Sequence, residues 1–285
     1  MQTKNRALLF ITFLPAFLCL ITGGATATAD PVFPTNSIDA RSLGRGGTVI
    51  ASPGGISSVL GNPATLRPTG AFSLGLDYLT DQSVPQDSFV LSLVDAKSTL
   101  RGGLIFVTDP EFAGFDDYLW GVALAQSLGS SLFIGQNFHM GNYNDPLDNS
   151  SSTLSAADLG VVWEISPRLS VGYVARNLYR SDKDLLEFRN SIGLSIGLPW
   201  TIVLLADYEE SSAVPDKEDL RAGVQFTPVQ SLSGRLGYQD LADDQTYYTI
   251  GLSIGDQKGS LDIGASYSAE RGELDRIILG AFLNK

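Results

Sequence analysis

The stretch Gly259-Ser-Leu-Asp-Ile-Gly-Ala-Ser-Tyr-Ser268 decides the architecture. In an extended chain, Leu261, Ile263, Ala265 and Tyr267 fall on one face, and Ser260, Asp262, Gly264 and Ser266 on the other. Strand side chains alternate between faces, so this is a two-faced strand with a charge on its polar side. The pattern recurs upstream. In 219–226, Leu220, Ala222, Val224 and Phe226 oppose Arg221, Gly223 and Gln225. In 188–196, Ile192 and Leu194 oppose Arg189 and Ser191; in 157–165, Leu159 and Trp163 oppose Asp158 and Glu164. A run of roughly ten residues is what a tilted strand needs to cross the hydrocarbon of a bilayer.

Further strands are expected at 70–79, 87–95, 99–108, 118–127, 130–140, 168–178, 200–208, 231–239, 246–255 and 274–284, which makes fourteen. Short connections alternate with longer acidic ones, as in a barrel with periplasmic turns and extracellular loops. Tyr78, Trp120, Tyr208, Tyr238, Tyr248 and Tyr267 fall at the outer rim of such a barrel, and Trp163, Trp200 and Phe226 near the inner one. Aromatic rings favour both interfaces, whereas a soluble sandwich needs no such rims. The reading is all-β: a 14-stranded antiparallel transmembrane β-barrel with an N-terminal luminal plug. Strand 99–108 is irregular, with Gly102-Gly103 followed by the apolar run Leu104 to Val107. A bulge or kink is expected there.

Residues 1–29 read as an export signal: Lys4 and Arg6, an apolar run from Leu8 to Ile21, then Ala27-Thr-Ala29 as a cleavage site. The only cysteine, Cys19, leaves with it. Removing both bases takes the formal charge to 17 − 31 = −14, which argues against a nucleic-acid partner. The mature chain holds no apolar run of about 18 residues that would make a spanning helix. The single histidine, His139, is placed at the outer rim, and with no cysteine beside it no metal or other cofactor is expected. No nucleophile elbow or phosphate loop is present, so an enzyme is not expected.

Residues 30–69 stand outside the strand pattern. A short helix over 36–44 capped by Ser37 or Asn36 and another over 56–60 are predicted. Such a segment can fold into the lumen as a plug or hang from it as a periplasmic tail. The residues Ser42-Leu43-Gly44-Arg45-Gly46-Gly47, Ile50-Ala51 and Gly61-Asn62-Pro63-Ala64-Thr65-Leu66 resemble the N-terminal signature of FadL-type outer-membrane transporters, including the PorV/PorQ group. The resemblance implies a luminal hatch at 30–69, a fourteen-stranded barrel at 70–285 and a bacterial outer-membrane location. It also implies a lateral wall opening at a kinked third strand, which here would involve Gly102, Gly103, Asp109 and Pro110. The sequence departs from FadL transporters in its outer loops. The longest, 141–153, is almost wholly polar, and the apolar residues left outside are Phe112, Phe115 and Leu147.

The alternation sends Asp77, Asp158, Glu164, Arg176, Arg189, Asp207, Arg221, Arg235 and Asp262 into the lumen. Buried charges must be paired or hydrated. They are read as ion pairs with one another and with Arg41 or Arg45 of the plug; the alternative is a selectivity ladder for a solute. The expected function is a channel for a small hydrophobic molecule, monomeric and surrounded by outer-membrane lipid. The alternatives are a PorV/PorQ-like accessory protein holding a secreted protein partner, and a structural or general diffusion barrel.

Overall fold

A computed structural model describes residues 33, 37–52, 55–84, 86–144, 150–183, 185–211, 218–242, 245–256 and 258–285. The expected export signal lies outside the described residues.

Fourteen antiparallel strands follow one another around a closed wall. They are β1 (Phe72–Asp81), β2 (Ser88–Asp95), β3 (Leu100–Thr108), β4 (Asp116–Leu128), β5 (Leu132–Asn144), β6 (Ser151–Ser166), β7 (Leu169–Arg180), β8 (Arg189–Leu198), β9 (Ile202–Ser211), β10 (Glu218–Val229), β11 (Leu232–Leu241), β12 (Gln245–Gly255), β13 (Gly259–Ser268) and β14 (Glu273–Asn284). The last pairs with the first, in register from Ser73↔Asn284 to Asp81↔Arg276, so the sheet has no edge. Closure leaves no backbone group unpaired toward lipid. The period-two pattern becomes burial: Leu261 is 69% exposed on the outer face and its neighbour Asp262 only 7%. Leu159, Ile192 and Leu220 point outward in the same way, while Asp158, Ser191 and Arg221 are buried.

The turns after β2, β4, β6, β8, β10 and β12 are short and lie at one end, together with both ends of the barrel chain. The opposite end carries the longer connections. Tyr238, Tyr248 and Tyr267 pair in one row across β11, β12 and β13, and Trp163 and Trp200 are exposed at the short-turn end.

Two expectations about strands change. The polar stretch 141–153 is largely not a loop: β5 and β6 continue as a hairpin, pairing from His139↔Ala156 to Asn144↔Ser151. Its tip, with Leu147, lies outside the described residues. The bulge expected in β3 is absent. Gly102 and Gly103 stay in register with Asp95 and Val94 of β2 and with Leu124 and Ala123 of β4. The reason for Gly103 is steric, because a Cβ there would meet Val59 Cγ2 at 2.6 Å. Register shifts fall elsewhere, including one between β6 and β7 where Asn177 takes φ 53°.

Residues 37–52 and 55–66 run inside the wall and are almost entirely buried. They comprise α1 (Ala40–Gly44) and two 3₁₀ turns, Ile56–Ser58 and Pro63–Thr65. The helix starts later than predicted because Asp39 is its cap. Its Oδ1 accepts from the N–H groups of Arg41 and Ser42, each at 2.9 Å, and Ser42 Oγ donates back to the Asp39 carbonyl. Ser37 instead accepts from Gln239 Nε2 at 3.0 Å, and Asn36 lies outside the described residues.

Candidate functional site in the barrel lumen

The motif residues set how closely the luminal segment approaches the wall. Gly44 lies against Gly251, where an added Cβ would come to 2.7 Å from the facing Cα. Leu43 is buried against Ala40, Leu79 and Ile278. Gly46 and Gly47 take φ 73° and 70°, a region that favours glycine, and carry the chain out of α1. Asn62 Oδ1 accepts from Ala64 N–H at 3.0 Å while its Nδ2 donates to the Ile50 carbonyl at 2.6 Å. Pro63 then packs on Gly135. The motif is thus a track of small and self-satisfying residues that lets an irregular backbone lie on a sheet.

Along β7–β13 the wall is charged. Asp207 Oδ2 accepts from the N–H groups of Val49 and Ile50 at 2.6 and 3.0 Å. Asp77 on β1 accepts from Ala40 N–H at 3.2 Å. Arg176 donates to the carbonyls of Leu60 and Gly61 and to Glu209 Oε2 at 2.7 Å. Glu209 also receives Arg189 at 3.2 Å and Ser191 Oγ at 2.6 Å. Arg221 pairs with Asp219 at 2.6 Å, Arg41 with Asp262 at 3.1 Å and Arg67 with Glu164. Arg235 donates to Gln225 and Ser253. Asp158 accepts from Asn177 N–H at 2.7 Å, in the bulge between β6 and β7. Glu209 and Asp219 are buried charges absent from the expected luminal set; their signal in the sequence is the i, i+2 spacing from Asp207 and Arg221, which puts them on the same inward face.

Arg45 differs from these. The residue is 7% exposed, its Nε is buried without a hydrogen-bond partner, and no ion pair reaches it among the described residues. Burial draws its pKa below the ordinary arginine value, with Asp39 and Asp207 acting in the opposite direction.

Along β2–β4 the inner wall is mostly apolar instead, with Arg101 of β3 as its buried charge, donating to Ser127 Oγ at 3.0 Å. Val90, Ile105, Val107 and Leu119 are fully buried, and with Ile56, Val59, Leu60 and Leu66 of the luminal segment they form one cluster. Phe115, expected outside, joins this cluster and stacks on Phe33 at 4.6 Å between ring centroids. His139 is not at the rim either. It is fully buried, with Phe33 edge-on at 4.1 Å and Asp158 at 3.9 Å. The Phe112 side chain lies outside the described residues. Sequence reasoning missed this apolar compartment, although the run Leu104 to Val107 was its signal: apolar groups on both faces of a strand mean apolar surroundings on both sides.

The cluster abuts the shortest ladder among the described residues. β2 and β3 pair only from Val90↔Val107 to Asp95↔Gly102. Beyond that, side chains close the seam: Thr108 Oγ1 accepts from Phe89 N–H at 3.1 Å, and Ser88 Oγ donates to the Asp109 carbonyl at 2.7 Å. Asp109, at φ 46°, turns the chain into Pro110 and a 3₁₀ turn at Glu111–Ala113.

No family model and no curated protein matches the sequence. Solved structures do match the fold. The toluene transporter TodX of Pseudomonas putida superposes with a TM-score of 0.58 at 14% identity, over 91% of this chain and 99% of that one. The monoaromatic hydrocarbon channel CymD gives 0.58 at 15% identity, over 87% and 97%. A FadL homologue from Pseudomonas aeruginosa gives 0.54 at 12% identity, over 86% and 98%. The fold is that of the FadL-type channels. It is an outer-membrane barrel fold, and these neighbours are channels and transporters.

Proposed function

We propose that this protein is a FadL-like channel of the bacterial outer membrane that admits a small hydrophobic molecule. The observation carrying this reading is the fully buried apolar cluster of Val90, Ile105, Val107 and Leu119, set against the shortest ladder among the described residues. An aqueous pore has no use for such a compartment, since a polar lumen is what water and ions require. In this reading the luminal segment is a hatch that closes the direct path. The molecule enters past the longer loops, exchanges with the apolar side chains of the hatch, and leaves sideways between β2 and β3 where Ser88, Thr108 and Asp109 hold the wall together. The neighbours' hydrocarbon substrates favour an apolar cargo here.

The test is uptake of labelled aromatic hydrocarbons and fatty acids into liposomes carrying the purified barrel. Saturable uptake above protein-free liposomes is expected. Its absence, with a secreted protein copurifying instead, overturns the reading in favour of an accessory role. A Val90→Cys/Val107→Cys pair, which faces inward in register across the seam, tests the route. Oxidation is expected to cut uptake at least ten-fold and reduction to restore it. Uptake indifferent to the cross-link removes the lateral exit and leaves the channel.

A further inference from the structure

The apolar cluster along β2–β4 does not end with the strands. At the end of the longer connections two of them complete it. Ala113 and Phe115 come from the connection between β3 and β4, and Leu186 from the one between β7 and β8. Leu186 is 1% exposed, and Leu185 packs against the cluster beside it. The two connections are held differently. The first is tied through its main chain: Asp109 N–H donates to the Asp117 carbonyl at 3.0 Å, Gly114 N–H to Glu111 at 2.9 Å and Phe115 N–H to Pro110 at 3.3 Å. The second begins where the β7–β8 ladder stops, at Arg176↔Arg189. Main-chain bonds join Ser181 N–H to Ser155 at 2.9 Å and Leu186 N–H to Asp182 at 3.3 Å. On either side of Leu186 the ties run through side chains. Leu185 N–H donates to Asp182 Oδ1 at 3.1 Å, and Asn177 Nδ2 donates to the Glu187 carbonyl at 2.7 Å. Asn177 is the residue at φ 53° in the β6–β7 bulge, where its own N–H is taken by Asp158 Oδ1. One amide side chain thus ties the connection carrying Leu186 to the wall.

We propose that Leu186 is a removable stopper at the outer end of the apolar cluster, and that Asn177 is the latch that keeps it seated. The proposal rests on the reading that the cluster takes an apolar cargo. A small apolar molecule enters by taking the place of the Leu186 side chain. Such an exchange keeps the surrounding apolar surface covered, whereas opening to water alone bares it. The bond that must break is the one from Asn177 to Glu187. Both residues are half-buried, so water reaches them and can replace the lost partner. A polar solute of similar size offers no such exchange and is refused. Asn177 is a positioning residue here, because it holds the connection and not the cargo. Opening of this kind is set by the bonds nearest the stopper and not by the stability of the whole barrel.

The only cysteine, Cys19, lies in the expected export signal, so Leu186→Cys places a single thiol in the mature chain. Its rate of reaction with a charged maleimide is measured in nanodiscs, with and without toluene, and with Asn177→Gly added. Glycine adopts φ 53° without strain and lacks the amide. Asn177→Gly is expected to speed labelling at least ten-fold and toluene at least three-fold, while glycerol has no effect. In the liposome assay Asn177→Gly, with Leu186 intact, is expected to raise the initial rate of toluene uptake at least three-fold. Heat-modifiable electrophoretic mobility verifies that each variant is folded. Asn177→Asp, which keeps the shape but replaces the Nδ2 donor by an acceptor, serves if Asn177→Gly is not. Labelling indifferent to both changes, with uptake present and unaltered, overturns the stopper and leaves the channel. Acceleration by Asn177→Gly without any effect of toluene means that the connection opens to water only, and also overturns it. Labelling accelerated by both, with no uptake by any of the proteins, upholds the stopper and overturns the channel.

Discussion

The inner wall along β2–β4 and the inner wall along β7–β13 cover the same luminal segment with opposite chemistry. The difference follows the hydrogen-bonding needs of the chain laid on each. Residues 56–66 lie on β2–β5 and satisfy much of their own backbone through 3₁₀ turns: Val59 N–H to Ile56 O, Thr65 N–H to Asn62 O, Leu66 N–H to Pro63 O. The wall beneath Val59, Leu60 and Leu66 is then free to be apolar. The N–H groups of Val49 and Ile50 and the carbonyls of Leu60 and Gly61 are not used in such turns. There the wall supplies Asp207 for two N–H groups and Arg176 for two carbonyls. Buried backbone groups must find partners somewhere, so an irregular segment inside a barrel writes its unmet bonds onto the wall as charge. Only the wall spared that task can line an apolar path.

The comparison breaks most easily at Glu209. It receives Arg176, Arg189 and Ser191 at 2.7, 3.2 and 2.6 Å while almost wholly buried. Glu209→Gln keeps the volume and removes the charge that neutralises both arginines. Breaking a buried pair in this way costs about 3–5 kcal/mol. Urea unfolding in detergent micelles, followed by tryptophan fluorescence, is expected to show a loss of that size. A loss near zero means that the charged wall is hydrated and its geometry is not what holds the segment.

On the other side, Ile105→Ala removes a fully buried side chain from the apolar cluster. The expected loss is about 3 kcal/mol by the same measurement. A mobile, ligand-filled compartment gives a smaller loss, recovered by adding a hydrocarbon that fills the vacated volume. Gly103→Val adds volume instead, where a Cβ already meets Val59 Cγ2 at 2.6 Å. Overpacking of this kind costs about 1–3 kcal/mol. A matching Val59→Ala is expected to restore most of it, since the two residues share one space.

The strands were legible because each carries its own evidence. Leu261 and Asp262 need no partner to declare their faces, and closure then follows from the number of strands. The luminal charges were legible for the same reason. What the sequence did not disclose depends on residues far apart in the chain. His139 and Phe115 looked like rim residues until Phe33 was brought between them, and no local pattern encodes that meeting. Gly102-Gly103 looked like a kink because a glycine pair in a strand weakens pairing. Gly103 is instead the imprint of Val59, more than forty positions away. The polar run at 141–153 looked like a loop because strand tops beyond the membrane lose the apolar face that marks them.

The smallest effect in free energy bears most directly on the route through the wall. Beyond Val90↔Val107 the β2–β3 seam is closed by Ser88 and Thr108 side chains and not by a main-chain ladder. Ser88→Ala with Thr108→Val removes both bonds, at about 1 kcal/mol each. Global unfolding is therefore expected to shift little. Local opening is a separate quantity, governed by the bonds nearest the seam. Amide hydrogen exchange at Val90 and Leu91 is expected to accelerate about five- to ten-fold, while the β5–β6 ladder is unchanged. Should exchange at β2 and β5 respond equally, the seam is no weaker than the rest of the wall. The apolar compartment behind it would then need an exit at the short-turn end.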